Sequence, residues 1–403
     1  MVTKTIAAGK KQQKGGKSPV KKITGWLHLW LGLISGIIVF VVSLTGTLFV
    51  FCDEIIDGFG GSAKYVQVEN KPKLSEEVMI ANFKKDHPER DAFYFDTYKE
   101  NDRSFRIASS KKRKNFTYTY VNPYTGQELH SSAAYYFFYV VAHIHAELLL
   151  HKTGKTLVGI ATIIFFVQLI GGLILWWPNK WNKNTRTAAF KIKSGTKWRR
   201  KNYDLHNVLG FYAVIPAILL TVTGLIMAYE ILNTLTQKAF GGNPHAHELE
   251  AKYEPRFDAM QNAKPYSEIV EKIFETNPTV KQVRLGIPRD DSATTYFTSI
   301  GKFVGIKSQI GGRRFLTNKY TGEPVVFPAD MEKHEIIEST NFDLHVGYWG
   351  GLFGKILTFI VGLICTSLPI TGFIIWWGRK YKKQKPSIST RTVKAGKEQL
   401  VPA

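Results

Sequence analysis

The stretch from Thr24 to Phe51, TGWLHLWLGLISGIIVFVVSLTGTLFVF, decides the fold. It carries one histidine, His28, near its basic end and then runs apolar for more than twenty residues. About 20 apolar residues in an α-helix rise about 30 Å, which is the thickness of the hydrocarbon core of a bilayer. The stretch therefore predicts a helix that crosses a membrane.

The first helix has a copy later in the chain, and two constant offsets relate the two halves. At an offset of 178, His28, Gly32, Thr45 and Gly46 match His206, Gly210, Thr223 and Gly224, and at an offset of 200, His145, Gly154, Lys155, Gly172, Trp176 and Trp177 match His345, Gly354, Lys355, Gly372, Trp376 and Trp377. The sequence therefore predicts two tandem units, 24–178 and 202–378, each built as helix, soluble segment and helix.

Apolar runs long enough to span a bilayer occur at 27–52, 156–178, 207–229 and 356–378. The predicted fold class is an α-helical four-span bundle from two tandem repeats, with two small α+β modules outside the cytoplasm. The only cysteines, Cys52 and Cys365, lie far apart, so neither a disulfide framework nor a C-x-x-C-H haem attachment is expected.

The predicted segments follow from these runs. They are a basic cytoplasmic tail (1–22), a first membrane helix (23–52), a first module (53–142), a second membrane helix with its histidine-bearing lead-in (143–178), a basic cytoplasmic loop (179–205), a third membrane helix (206–229), a second module (230–340), a fourth membrane helix with its lead-in (341–378) and a basic cytoplasmic tail (379–403).

The net charge of +22 is confined to three segments. Residues 1–22 contribute +7, residues 179–205 contribute +8 and residues 379–403 contribute +7. This distribution is the positive-inside pattern, which predicts that both termini and the middle loop lie in the cytoplasm of a bacterial inner-membrane protein. Basic segments beside a bilayer attract anionic lipid, so the charge requires no nucleic-acid partner.

The two modules show the same order of patterns. A helical pattern at 74–86 precedes strand-like runs at 92–98, 104–109 and 116–129; a second at 266–277 precedes runs at 280–288, 294–301 and 313–325. A Tyr-Thr-Gly turn, at Tyr124 in one module and Tyr320 in the other, occupies the same place late in each.

Four histidines form two matched pairs, and a twofold axis along the membrane normal would bring His28 opposite His206 and His145 opposite His345. Two facing imidazoles in an apolar bundle can bind one haem iron axially. The candidate cofactor-binding residues are His28, His206, His145, His345, the small residues Gly32 and Gly210 that would admit a flat macrocycle, and Arg199 and Arg200 as partners for propionates.

Other histidines and other metals are weaker candidates. His143 and His151 have no matched counterpart and are secondary candidates, as spare or supporting residues or, for His151, as a ligand. Zinc or copper is a weaker interpretation, because no carboxylate or thiolate accompanies the pairs. His245 and His247 are interpreted as exposed loop residues, with capture of a metal outside the membrane a minor hypothesis.

In the order and spacing of these motifs the sequence resembles the PepSY-associated transmembrane family. Leu27-His28, Leu205-His206 and Leu344-His345 carry the resemblance, with the Thr-Gly pairs at 45–46 and 223–224 and the Trp pair at 376–377. The family includes inner-membrane reductases of siderophore-bound ferric iron that carry two b-type haems. The resemblance implies that function, two haem b groups, the four histidines as ligands and a separate electron donor.

An alternative is a non-enzymatic membrane anchor whose outer modules bind or regulate a partner such as a peptidase. Under this hypothesis the histidines serve helix packing. The sequence shows neither a G-x-S-x-G elbow nor an H-E-x-x-H motif, so a hydrolase is disfavoured.

Overall fold

A computed structural model describes residues 18–302 and 312–381. The α-helices are α1 (Pro19–Phe49), α2 (Cys52–Phe59), α3 (Glu76–Asp86), α4 (Ala134–Glu147), α5 (His151–Trp176), α6 (Lys183–Phe190), α7 (Trp198–Ala228), α8 (Glu230–Phe240), α9 (Ala246–Leu249), α10 (Tyr266–Thr276), α11 (Ala329–Val346) and α12 (Gly351–Lys380). The strands are β1 (Asp91–Tyr98), β2 (Phe105–Lys111), β3 (Lys114–Val121), β4 (Glu128–Ser132), β5 (Gln282–Gly286), β6 (Thr295–Gly301) and β7 (Arg313–Asn318).

Helices α1, α5, α7 and α12 are each long and apolar enough to cross a membrane, as the sequence predicts. α1 packs against α5 and α12, and α7 packs against the same two helices. α1 and α7 therefore face each other diagonally across the bundle. An apolar cluster that includes Leu169, Val214 and Val361 fills the middle of the bundle.

Helix α1 begins where its sequence favours a helix start. The Ser18 hydroxyl accepts a hydrogen bond from the Lys21 backbone N–H at 3.3 Å, and Pro19 occupies the first helical position, where its missing N–H costs nothing. On the outer surface of α1, Ile34 and Ile37 remain 71% and 79% exposed. Such side chains suit contact with lipid rather than water.

The boundaries of several helices differ from the predicted segments. α1 and α7 begin earlier than expected, so they extend into the segments 1–22 and 179–205. α4 and α11 are separate helices that run across the boundaries predicted at residues 142 and 340. Most of both predicted basic tails, residues 1–17 and 382–403, lies outside the described residues.

The two predicted α+β modules are both present, but they share one sheet. Their strands form an antiparallel sheet of seven strands in the order β4-β3-β2-β1-β5-β6-β7, joined between the modules by the pairing of β1 with β5. α3 and α10 cover one face, where side chains from both modules form a single apolar core. The Tyr-Thr-Gly turns match closely, because the Asn122 and Asn318 side chains each accept a backbone hydrogen bond at 2.8 Å from Tyr124 and Tyr320.

A buried ionic cluster holds the two modules together at the β1–β5 junction. Asp96 on β1 is fully buried and lies directly opposite Arg284 on β5. Its carboxylate accepts hydrogen bonds from Arg284 at 2.8 Å, from Arg106 at 2.8 Å and from Gln282 at 2.9 Å. Burial alone would raise the pKa of Asp96, but the guanidinium groups of Arg284 and Arg106 hold it below its ordinary value.

The other face of the sheet rests on the helices that lead into the bundle. Tyr118 and Tyr120 pack against Ile56 of α2 and Phe138 of α4. Farther along, the buried ammonium of Lys355 binds the Glu54 carboxylate at 2.5 and 2.7 Å. These contacts fix the sheet at one end of the bundle, which we call the sheet end; the opposite end, which carries α6, is the loop end.

The Asp96 cluster gives a first prediction. Replacing Asp96 by Asn removes the carboxylate that pairs with the buried guanidinium groups of Arg106 and Arg284, and breaking such a buried ion pair costs about 3–5 kcal/mol. We expect the detergent-purified Asp96→Asn protein to unfold at least about 6 °C below wild type, as measured by circular dichroism on heating.

The matched control is Asp91→Asn, because Asp91 begins the same strand with an exposed side chain. Its unfolding temperature should stay within about 2 °C of wild type. Equal unfolding temperatures for the two variants would mean that the cluster does not stabilise the joined sheet.

Candidate functional site

The structure brings the four matched histidines together as two pairs inside the bundle. The His28 and His206 rings lie with their centroids 6.3 Å apart and their planes at 88°, near the loop end. The His145 and His345 rings lie 6.1 Å apart with their planes at 57°, at the sheet end. Each pair joins the α1 side of the bundle to the α7 side, since α4 packs on α1 and α11 packs on α7.

The two pairs are well separated along the bundle. Gly46, which contacts His145, lies 18 positions after His28 on α1, and Gly224, which contacts His345, lies 18 positions after His206 on α7. At 1.5 Å per residue each interval is about 27 Å, close to the thickness of the hydrocarbon core. One pair therefore lies near each end of the membrane-crossing region.

At the sheet end, hydrogen bonds determine which ring nitrogen of each histidine is available. His145 Nδ1 lies 2.8 Å from the Val42 carbonyl, which can only accept, so Nδ1 carries the proton. His345 Nδ1 lies 2.9 Å from the Thr223 hydroxyl, which already donates to the Leu219 carbonyl and is therefore an acceptor for the ring. Both neutral rings keep an unprotonated Nε2.

At the loop end the two histidines differ. His206 Nδ1 lies 2.8 Å from the Thr371 hydroxyl, which donates to the Ser367 carbonyl, so this ring also keeps a free Nε2. His28 Nδ1 is buried and has no hydrogen-bond partner among the described residues. Gly171 stands at the position that corresponds to Thr371 at the offset of 200, so no hydroxyl is present there.

A glycine on a neighbouring helix makes room for each imidazole. A Cβ built at Gly46 would lie 2.7 Å from Cε1 of His145, and one at Gly224 would lie 3.0 Å from Cε1 of His345. At Gly172 and Gly372 the added Cβ would lie 3.4 Å from Cε1 of His28 and of His206, respectively. A methyl group at Gly46 or Gly224 would crowd the ring beside it, whereas one at Gly172 or Gly372 would make an ordinary van der Waals contact.

Gly32 and Gly210 have neighbours other than the paired rings. A Cβ at Gly32 would approach Gln168, and one at Gly210 would approach Leu368, rather than a histidine. Four other glycines touch the rings, and all four are among the residues that repeat at the offsets of 178 and 200: Gly46, Gly172, Gly224 and Gly372. Their contact with the rings could not be predicted, because these glycines lie far from the histidines along the chain.

The secondary candidates lie away from both pairs. His143 Nδ1 bonds to Glu147 at 2.8 Å, and the His151 side chain is 90% exposed. His143 and His145 project from different sides of α4, because two residues advance a helix by about 200°. Neither His143 nor His151 reaches His345.

The two candidate arginines also differ. The Arg200 guanidinium is paired with Asp204 at 2.8 Å. Arg199 precedes His206 by seven positions and therefore lies on the same face of α7, two turns away. Within the part of the chain that the structure describes, no salt bridge engages Arg199, so it is the better partner for an anionic group beside the loop-end pair.

The donor set fits a metal bound between each pair. A metal–imidazole bond is about 2.0–2.1 Å and the ring centre lies about 1.1 Å beyond the nitrogen, so two imidazoles on opposite sides of one ion have ring centres about 6.2 Å apart. The separations of 6.3 and 6.1 Å agree with this value. Two nitrogen donors with no carboxylate beside them suit the two axial positions of a haem iron better than a tetrahedral zinc site.

Almost the whole chain matches a single known protein family. Residues 25–379 match the family described as PepSY-associated TM region. The matched residues include both histidine pairs, all four membrane helices apart from their ends, and the joined sheet. No match was found among curated proteins.

The contact at Gly46 gives a second prediction. Gly46→Ala places a methyl group inside van der Waals contact with His145, so we expect the ring to be displaced and the binding of a prosthetic group at the sheet-end pair to fall at least tenfold. Absorption spectroscopy of the purified variant, normalised to protein, measures the bound group.

Gly36→Ala is the control, because Gly36 lies on the same helix, α1, and its added Cβ would make only an ordinary 3.7 Å contact with Pro369 of α12. We expect this variant to match wild type. If both variants bind the group as wild type does, the glycine contact does not position the ring.

Proposed function

This chain belongs to the PepSY-associated TM region family, and from the geometry of its two histidine pairs we propose that it is a dihaem protein that carries electrons across a membrane. His28 with His206, and His145 with His345, would each bind one haem b. The observation that carries the proposal is the spacing of 6.3 and 6.1 Å between the paired rings, which suits two axial ligands of one iron.

Haem iron supplies a centre that accepts and releases one electron. With two imidazoles of the chain at each site, a bound haem would have no position left for oxygen, which would favour electron transfer over oxygen chemistry. The chain contributes the environment. Leu169, Val214 and Val361 exclude water between the pairs, and the hydrogen bonds to Nδ1 of His145, His206 and His345 orient the rings and raise their basicity as ligands.

The orientation that we propose for the protein in the membrane follows from the distribution of its positively charged residues. The loop between α5 and α7 carries six Lys or Arg residues and no acidic residue, and positively charged loops remain in the cytoplasm. The sheet would then lie in the periplasm of a bacterial inner membrane, with both termini in the cytoplasm. Electrons from a separate donor would enter at the loop-end pair and leave at the sheet-end pair.

We propose a ferric chelate such as a ferric siderophore as the acceptor on the sheet side. Each electron delivered there reduces one Fe³⁺ to Fe²⁺, which most chelators of ferric iron bind less tightly. Release of iron in the periplasm would follow from the reduction alone. The chain would then be an oxidoreductase of iron uptake.

We also propose that the two halves are tandem repeats. Supporting this, His28 lies against Gly172 as His206 lies against Gly372, with the same 3.4 Å separation, and the histidines of both halves follow the offsets of 178 and 200. A duplicated unit turned about the bundle axis produces facing pairs of identical ligands.

Ligand replacement is the test of the haem sites. We expect His28→Ala and His345→Ala each to retain about one of two haems per chain, because each removes one axial ligand from one site. The pyridine haemochromogen assay on detergent-purified protein measures the haem content. His151→Ala is the control, since its exposed side chain lies outside both pairs and should leave the haem content unchanged.

Full haem content in both His28→Ala and His345→Ala would contradict the assignment. If the wild-type protein is well folded but colourless, this result would instead support an anchor that binds a partner through its sheet.

Electron delivery has a separate test. Chemically reduced, oxygen-free wild type should reduce about two equivalents of a ferric hydroxamate chelate, one per haem. A ferrous-specific dye measures the Fe²⁺ formed, and the loss of the reduced α-band measures haem oxidation. His345→Ala should slow the reaction far more than His28→Ala, because the sheet-end pair would be the exit. Equal rates in the two variants would argue against this direction of transfer.

A further inference from the structure

A second group of metal-binding side chains lies outside the bundle, on the sheet side. It consists of His247 on α9 and of His334 and Glu338 on α11. Their potential ligand atoms lie within 4.8 Å of one another. The three residues come from parts of the chain almost 90 positions apart, so only the fold brings them together.

The donor atoms of this group lie close enough together to bind one metal ion. His334 Nε2 lies 3.3 Å from His247 Nε2, and the two rings lie 3.4 Å from opposite oxygens of the Glu338 carboxylate. Ligand atoms bound tetrahedrally at about 2.0–2.1 Å from one ion are about 3.3–3.4 Å apart. The separation of the two ring nitrogens equals the edge of such a tetrahedron, and each ring nitrogen lies at a similar distance from one oxygen of the carboxylate.

Neighbouring groups hold two of the three donors in the orientation that a metal requires. His247 Nδ1 lies 2.9 Å from Glu250 Oε1, so it donates there and leaves Nε2 unprotonated toward the centre of the group. Asn233 donates to Glu338 Oε1 at 3.1 Å. A carboxylate behind a ligand histidine is the usual support of a metal-bound imidazole.

Burial and charge are consistent with this arrangement. His334 is 3% exposed, whereas the His247 side chain is 59% exposed, so the group has a buried wall and an open side. The Glu338 carboxylate is the acidic member of the group and would offset part of the charge of a bound cation. An open side leaves a coordination position for water or an exchanging ligand.

We propose that His247, His334 and Glu338 bind a divalent first-row transition-metal ion, such as Zn²⁺ or Fe²⁺, with at least one position open to solvent. Two imidazoles and one carboxylate are borderline donors that these ions prefer over Mg²⁺. His334 precedes His345 by 11 positions on α11, which places the metal about 16 Å along that helix from the sheet-end pair. The proposal does not depend on haem in the bundle.

Zinc binding by the full chain tests the proposal. Protein purified without a histidine tag and treated with EDTA is dialysed against about 10 µM Zn²⁺ with millimolar Mg²⁺, and retained zinc per chain is measured by elemental analysis. We expect the wild-type protein to retain one more zinc ion per chain than either the His247→Ala variant or the Glu338→Gln variant. His247 is mainly exposed and Gln keeps the shape of Glu338, so both variants should fold.

His245→Ala is the matched control, because His245 lies two positions from His247 and its side chain pairs with Glu248 at 3.4 Å rather than with the proposed ligands. It should retain zinc as wild type does. Glu250→Gln should bind zinc about 10–100-fold more weakly, because it removes the support behind His247. A purely structural role for Glu250 would not change zinc affinity.

A double variant, His28→Ala with His345→Ala, separates this site from the bundle. It should keep the zinc ion even though the haem content falls. Equal zinc retention in wild type, His247→Ala and Glu338→Gln would overturn the proposal and leave the group as a hydrogen-bonded network only. Failure of wild type to retain zinc would overturn it too, whatever the haem assay gives.

Discussion

The contact of each bundle histidine with a glycine of a neighbouring helix is the constraint on which the rest of the structure depends. Only a residue without a side chain lets an imidazole lie against the helix backbone, as Gly46 and Gly224 do at the sheet end. The facing rings of each pair come from the α1 side and the α7 side of the bundle. Helices α1 and α7 are held at the distance that places facing rings about 6 Å apart.

The sheet extends this constraint beyond the membrane. His145 and His345 lie on α4 and α11, the helices that connect the strands to the bundle, so a movement of one half of the sheet against the other would move the paired rings. The Asp96 cluster binds β1 to β5 where the two modules meet. A single sheet therefore keeps the two rings of the sheet-end pair at a fixed separation, whereas two independent modules would not do so.

Much of this architecture can be predicted from the sequence, because apolar periodicity and internal repeats can be recognised directly in the order of the residues. The four membrane helices and the pairing of His28 with His206 follow from apolar length and the offset of 178. The joined sheet could not be predicted, since the pairing of β1 with β5 depends on which strand edges meet in space. The same holds for His334, whose partner His247 lies in a connecting segment with no repeat counterpart.

The haem content and spin state of the purified wild-type protein test the central claim most directly. Pyridine haemochromogen analysis combined with electron paramagnetic resonance of the oxidised protein should give two haem b per chain, both low-spin, because two imidazoles would bind each iron. Haem-free protein from haem-replete cells would contradict the account. So would a high-spin signal, since it would mean that at least one iron lacks its second histidine.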